Sequence, residues 1–145
     1  MDSILYEQDF ALWVQETVQK IREKKTENLD WEHLIEEIEG LTRSDRRELK
    51  QRLITLFEQG LKRRYVPLTD CYRRWEVTLK RTQSKLQDLL NDSPSLRNYL
   101  LEILPHCYQE ALENVRIEYD NVFPDDYIFP NTSQRLLTQK FWQEE

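Results

Sequence analysis

Apolar residues recur every three or four positions along most of this chain, the period of helices that bury one face. Tyr6, Phe10, Trp13, Val14, Thr17, Val18 and Ile21 gather on one side of a first segment, which Ser3 can cap and which runs to about Lys25. After the polar joint Thr26-Glu27-Asn28, Asp30 caps a second segment with Glu32 in its first turn. There Leu34, Ile35, Ile38 and Leu41 continue a stripe begun by Trp31. Gly40, Thr42 and Ser44 weaken the helix, so a kink or short break is expected before Leu49, Leu53, Leu56, Phe57 and Leu61 resume the period. Val66-Pro67-Leu68-Thr69 ends this run, because proline lacks the backbone donor and biases the residue before it away from helix. Tyr72, Trp75, Leu79, Leu86, Leu89 and Leu90 then mark a helix to about Leu90, with Thr82 filling a gap. Ser93 at the cap and Pro94 at the first position open another, with the stripe Leu96, Leu100, Ile103, Leu104, Cys107, Tyr108, Ala111 and Val115. Pro105 lies inside that stripe and predicts a kink or a division into two helices. From Asn121 the period is lost. Val122-Phe123-Pro124 and Phe129-Pro130 read as an extended arm over 121–131 whose aromatics occupy a groove of the bundle, since exposing them leaves large apolar surfaces in water. Thr132 or Ser133 then caps a short last helix carrying Leu136, Leu137, Phe141 and Trp142.

The expected fold is therefore all-α: an up-down bundle of four to five main helices in a single domain over 1–145, with the Phe-Pro arm and short terminal helix at its end. Two glycines and five prolines are too few for a strand-and-turn architecture. The mean hydropathy of −0.81 would suit a disordered chain, but four Trp, seven Tyr and five Phe imply a core. No apolar run reaches the eighteen or so residues of a membrane span, and Met1-Asp2-Ser3 lacks the basic and apolar regions of an export signal. A cytoplasmic protein without membrane association is expected, with Cys71 and Cys107 as free thiols.

Charge alters this picture. Residues 41–85 hold thirteen Lys/Arg against five Asp/Glu, while residues 1–40 and 86–145 each hold four against eleven. The pattern, −7, +8, −7, suits helices paired by charge within one bundle.

These landmarks resemble the bacterial family known as domain of unknown function 29, common in cyanobacteria. The shared marks are Tyr6-x-x-Asp9-Phe10-x-x-Trp13, Leu34-Ile35-Glu36-Glu37-Ile38-Glu39, Leu61-Lys62, Trp75, Arg81, Ser93-Pro94-Ser95-Leu96, Tyr108-x-x-Ala111, Phe123-Pro124 and Phe129-Pro130. The resemblance runs nearly end to end and implies a helical bundle with no established activity. One departure concerns a His that relatives carry ahead of Leu-Leu-Lys, where this chain has Gln59-Gly60-Leu61-Lys62. No role of that His is carried over.

Candidate chemistry is sparse. Glu37 and Glu39 flank the apolar face of the second segment while Glu36 points away, and Asp9 lies on the flank of the first. Asp9, Glu37 and Glu39 are the residues a carboxylate acid-base site, and hence a hydrolase, would use. The favoured reading is structural: Asp9 and Glu37 paired with Lys62 and Arg81 at helix seams, fixing which helix lies beside which. His33-x-x-Glu36 and Glu102-x-x-x-His106 are His-carboxylate pairs at helical spacing, but two histidines are too few for the Glu-x-x-His pattern of a dinuclear metal centre beside the other ligands it needs, and no cofactor motif is present. Arg43, Arg46, Arg47, Lys50, Arg63, Arg64, Arg73 and Arg74 form the candidate partner surface. Interleaved with Tyr65, Tyr72 and Trp75, they also suit nucleic acid, against which stands a pI near 5.1. The sequence favours a non-catalytic protein-interaction module, with a nucleic-acid-associated protein as the alternative.

Overall fold

The computed structural model describes residues 2–143, with side chains from residue 4. It is all-α: among the described residues there are six α-helices, one 3₁₀ turn and no strand. The order is α1 (Asp2–Gln8), α2 (Phe10–Arg22), α3 (Trp31–Tyr65), the 3₁₀ turn Thr69–Cys71, α4 (Tyr72–Asp92), α5 (Leu96–Glu118) and α6 (Ser133–Thr138). No helix is long and apolar enough to cross a membrane, among the described residues. The chain divides into two compact units, Met1–Ser44 and Asp45–Glu145.

In the first unit the helix expected to run unbroken to Lys25 is divided at Asp9. Asp9 leaves helical geometry (φ −149°, ψ 88°) and accepts a hydrogen bond from Leu12 N at 3.0 Å, so it is the N-cap of α2. The apolar period runs through this point unchanged, which is why periodicity did not reveal it. The side chain of Ser3, read as the cap of the first helix, lies outside the described residues. Lys24, at φ 59°, turns the chain out of α2. Of the expected stripe only Trp13 and Thr17 are buried on α2, with Leu29 buried in the connection to α3.

In the second unit, α3, α4 and α5 enclose the core. Leu49, Leu53, Leu56, Phe57 and Leu61 of α3 meet Trp75, Leu79, Leu86 and Leu90 of α4 and the buried stripe Leu100 to Val115 of α5. Neither the break expected near Gly40 nor the division expected at Pro105 occurs. α3 is continuous through Gly40, whose cost of about 1 kcal/mol lowers helix stability without ending the helix. α5 is continuous through Pro105; that proline and Leu101 are exposed, so the carbonyl freed by its missing donor can be hydrated. Ser93 ends α4, and a turn through Pro94-Ser95 leads into α5 at Leu96.

The arm over 121–131 packs within this unit. Phe123 and Phe129 are buried, and Tyr108 Oη donates to Pro124 O at 2.8 Å. Phe129 stacks on Phe57 and stands edge-on to Phe141, with centroids 5.6 and 4.8 Å apart. Gly60 makes this fit: a Cβ there would lie 3.1 Å from Phe141 and 3.2 Å from Phe129. Thr132 caps α6 by accepting from Arg135 N at 3.3 Å, and Leu136, Leu137 and Trp142 complete the core. Gln83 and Gln87 of α4 hold α6 through its carbonyls. Gln83 Nε2 donates to Leu136 O and Gln139 O, each at 2.9 Å, and Gln87 Nε2 to Leu137 O at 2.7 Å.

Candidate functional site

The N-terminus of α3 builds a compact polar cluster in the first unit. Asp30 accepts the backbone N–H of His33 at 3.4 Å and meets its ring at Nδ1, 2.6 Å away, so the residue that starts the helix also orients the imidazole. The ring of Tyr6 stacks on His33 at 3.9 Å and stands edge-on to Trp13 at 5.0 Å. Tyr6 Oη donates to Glu37, one helical turn beyond His33. Tyr6, Trp13 and Glu37, all among the marks that carry the family resemblance, thus meet at one place.

The electrostatics follow from these bonds. The hydrogen bond to Glu37 pushes the Tyr6 phenol up to about 12, assisted by burial and by the charges of Glu37, Glu36 and Asp30. Partial burial raises the Asp30 carboxyl, but the bonds from the His33 ring and backbone outweigh it and hold that group below its ordinary value. Asp30 in turn holds His33 above its ordinary value, with burial opposing. Tyr6 and Glu37 are paired, as are Asp30 and His33, while the buried Trp13 Nε1 has no hydrogen-bond partner among the described residues. The chemistry of the cluster is this pairing, which fixes α1 on α3, and the phenol proton is committed to a carboxylate.

Each candidate acid-base residue has a different partner. Asp9 is a helix cap, Glu37 accepts from Tyr6, and Glu39 faces solvent beside Arg43 at 3.8 Å. The residues read as seam ion pairs also part ways. Lys62 is buried and reaches Glu118 at 3.3 Å, with its ammonium 5.8 Å from the Trp75 ring centroid. Arg81 is exposed on α4 with no ion pair among the described residues. The sequence reading took Asp30 as a cap, Tyr6 as part of an apolar stripe and His33 as paired with Glu36, and did not join the three, although Asp30-x-x-His33 at a helix start was the available signal. Among the described residues no three His, Cys, Asp or Glu side chains gather to hold a metal ion.

Much of the basic surface is engaged internally. Arg63 pairs with Glu76 at 2.8 Å and lies over Tyr72 at 3.8 Å. Arg46 lies over Tyr99 at 4.7 Å, Arg64 over Tyr65 at 5.7 Å, and Arg74 contacts Cys71 Sγ at 3.6 Å. Arg47 and Arg73 are exposed, and Lys50 is half-buried.

The larger departure from expectation is apolar. The stripe Trp31, Ile35, Ile38 and Leu41 is 51, 52, 58 and 68% exposed, because the side of α3 that packs in this unit presents His33 and Glu37 to Tyr6. On α2, Phe10, Val14, Val18 and Ile21 are exposed as well. The apolar period of α3 runs from Trp31 to Leu61 but is buried only from Leu49 onward.

No curated protein and no solved structure matches the sequence. The family described as Domain of unknown function DUF29 matches residues 5–142. With nearly every helix, the Tyr6–Glu37 cluster and the Phe-Pro arm inside that match, the chain belongs to the DUF29 family.

Proposed function

We propose that the protein is a non-catalytic interaction module whose first unit docks a basic amphipathic helix of another protein. The observation that carries this reading is the bare apolar stripe Trp31, Ile35, Ile38 and Leu41 of α3, in a unit whose α2 also exposes Phe10, Val14, Val18 and Ile21. An exposed apolar stripe along one helix marks a recognition site, and residues at i, i+4 and i+7 are the spacing with which helices engage one another. Charge selects the occupant. Residues 1–44 hold five Lys/Arg against eleven Asp/Glu, so a second copy would bring like charge to the face, whereas a helix flanked by Lys and Arg would complement it. That Asp9 caps α2, Glu37 accepts from Tyr6 and Glu39 lies beside Arg43 supports a non-catalytic role.

The test is a photoreactive residue at position 35 of the full chain, cross-linked in the native cell and mapped by mass spectrometry. The expected product is one discrete helical segment rich in Lys and Arg. Its binding to the purified chain should weaken with salt and be lost in I35D/I38D, a pair that leaves the Tyr6–Glu37 cluster intact. Cross-links only to a second copy, or unchanged binding by I35D/I38D, would overturn the proposal.

A nucleic-acid role draws on a separate observation. Arg73, Lys80, Arg81 and Lys85 are exposed along one face of α4 without ion pairs among the described residues, spanning about 18 Å at 1.5 Å per residue. Oligonucleotide anisotropy at low salt checks it, with K80E/R81E expected to abolish binding.

A further inference from the structure

We infer that the cavity between the end of α3 and the C-terminal segment is a binding site for a small organic phosphate, one phosphate group carried on a planar apolar body. The cavity has a volume of about 740 Å³, within the range of small-molecule sites. It lies entirely in the second unit and is distinct from the docking face of the first.

Three cations line it: Arg64 from the last turn of α3, Arg135 from α6, and Lys140 just beyond α6. Among the described residues no Asp or Glu lines it, and none of the three cations has an ion pair. Gathering three like charges is unfavourable unless an anion joins them, because their mutual repulsion is uncompensated. Arg64 adds a second sign. Its Nε is buried without a hydrogen-bond partner, while its guanidinium is held against the Tyr65 ring. Buried donors are ordinarily paired, so a side chain kept at this cost is positioned for something beyond the fold.

The rest of the wall is prepared for such a ligand. Arg135 Nε rests on Gln139 Oε1 at 3.4 Å, which orients the fork, and the Gln139 carbonyl is fixed by Gln83. Phe129 and Phe141 contribute aromatic surface, set edge-to-face and seated over Gly60. Two guanidinium forks and an ammonium match the spread oxygens of a phosphate monoester dianion. The rings supply a surface for a flat body. A metal cation is repelled by the same charges.

The experiment is a titration of the full chain, followed by amide and arginine side-chain NMR and by calorimetry. Adenosine monophosphate is the probe, and adenosine and inorganic phosphate are the separate arms. Adenosine monophosphate should shift the resonances of Arg64, Arg135, Lys140 and Phe141 and bind about tenfold or more tightly than either half alone. R135Q and K140Q, both at exposed positions, should each weaken binding about tenfold while the melting curve stays unchanged. R64Q should do the same, and if it destabilises the fold the two exposed substitutions still decide. Absence of shifts at low salt, binding by R135Q and K140Q equal to that of the unsubstituted chain, or inorganic phosphate binding as tightly as adenosine monophosphate would each overturn the assignment.

Discussion

Replacing Gln83 by Met should release the C-terminal helix from the bundle. α6 has six residues, too few to sustain itself, and its last carbonyls have no intrahelical donors. Gln83 supplies donors to Leu136 O and Gln139 O at 2.9 Å from a site only 8% exposed, where water is a poor substitute. Methionine has similar length and helix propensity but no donor, so the change isolates the hydrogen bonds. Two bonds at about 0.5–1.5 kcal/mol each give a loss of roughly 1–3 kcal/mol. With a urea slope of about 1–3 kcal/mol/M, the midpoint should fall by about 1 M. Gln87→Met removes a single bond from a half-buried site and should cost about 0.5–1.5 kcal/mol. Because both glutamines hold one helix, the double variant should lose less than the two single losses combined. Hydrogen exchange supplies the local readout: the amides of α6 should lose protection before those of α4 and α5. A Q83M chain with an unchanged urea midpoint and unchanged α6 protection would refute the reasoning.

Other consequences are equally direct. His33 is raised above its ordinary value, so its contribution to stability is complete below about pH 6.5 and is lost as pH rises through its folded value. Asp30 is lowered, so its contribution is present above about pH 3.9 and is lost as pH falls through its folded value. Thermal melts should therefore be highest between these limits, and His33→Gln should remove the alkaline decline; an unchanged alkaline limb would count against the pairing. Burial pushes the Cys107 thiol up to about 12, so a thiol reagent should label half-exposed Cys71 in the native chain and Cys107 only on unfolding. Native labelling of Cys107 at the rate of Cys71 would contradict its placement. Asp9→Ala should cost about 1 kcal/mol through the lost cap and lower the helix content of the first unit by circular dichroism. Gly60→Leu should cost about 1–3 kcal/mol by overpacking against Phe129 and Phe141, seen as a lower urea midpoint.

The helices of the second unit were legible because their period, boundary signals and burial agree. Trp75, Leu79, Leu86 and Leu90 were read as one buried face and are one. Thr132 was readable as a cap because its hydroxyl precedes a short apolar run. The first unit was less legible. Asp9 interrupts the backbone without interrupting the apolar period, and periodicity identifies the apolar face of Trp31, Ile35 and Ile38 without showing whether anything covers it. The partners of Lys62 and Arg81 were also beyond reach. Charge near a helix seam does not specify which of the downstream carboxylates arrives there; Glu118 meets Lys62, and Arg81 faces solvent. The cation cavity joins Arg64 to Arg135 and Lys140 through the path of the arm, which no local pattern encodes.

Gly60 carries a consequence for how this family diversifies. A relative with Leu at this position, as the resemblance implies for a His-Leu-Leu-Lys sequence, would carry a side chain where this chain has a hydrogen atom and two phenyl rings occupy the volume. The exchange is reciprocal: a chain that keeps Leu at this position must give up bulk opposite it. Phe129 belongs to a Phe-Pro element that carries the family resemblance, so the compensating change should fall at position 141. Positions 60 and 141 should therefore vary as a pair across the family, and the wall of the cation cavity that Phe141 forms would then be particular to the glycine-bearing branch.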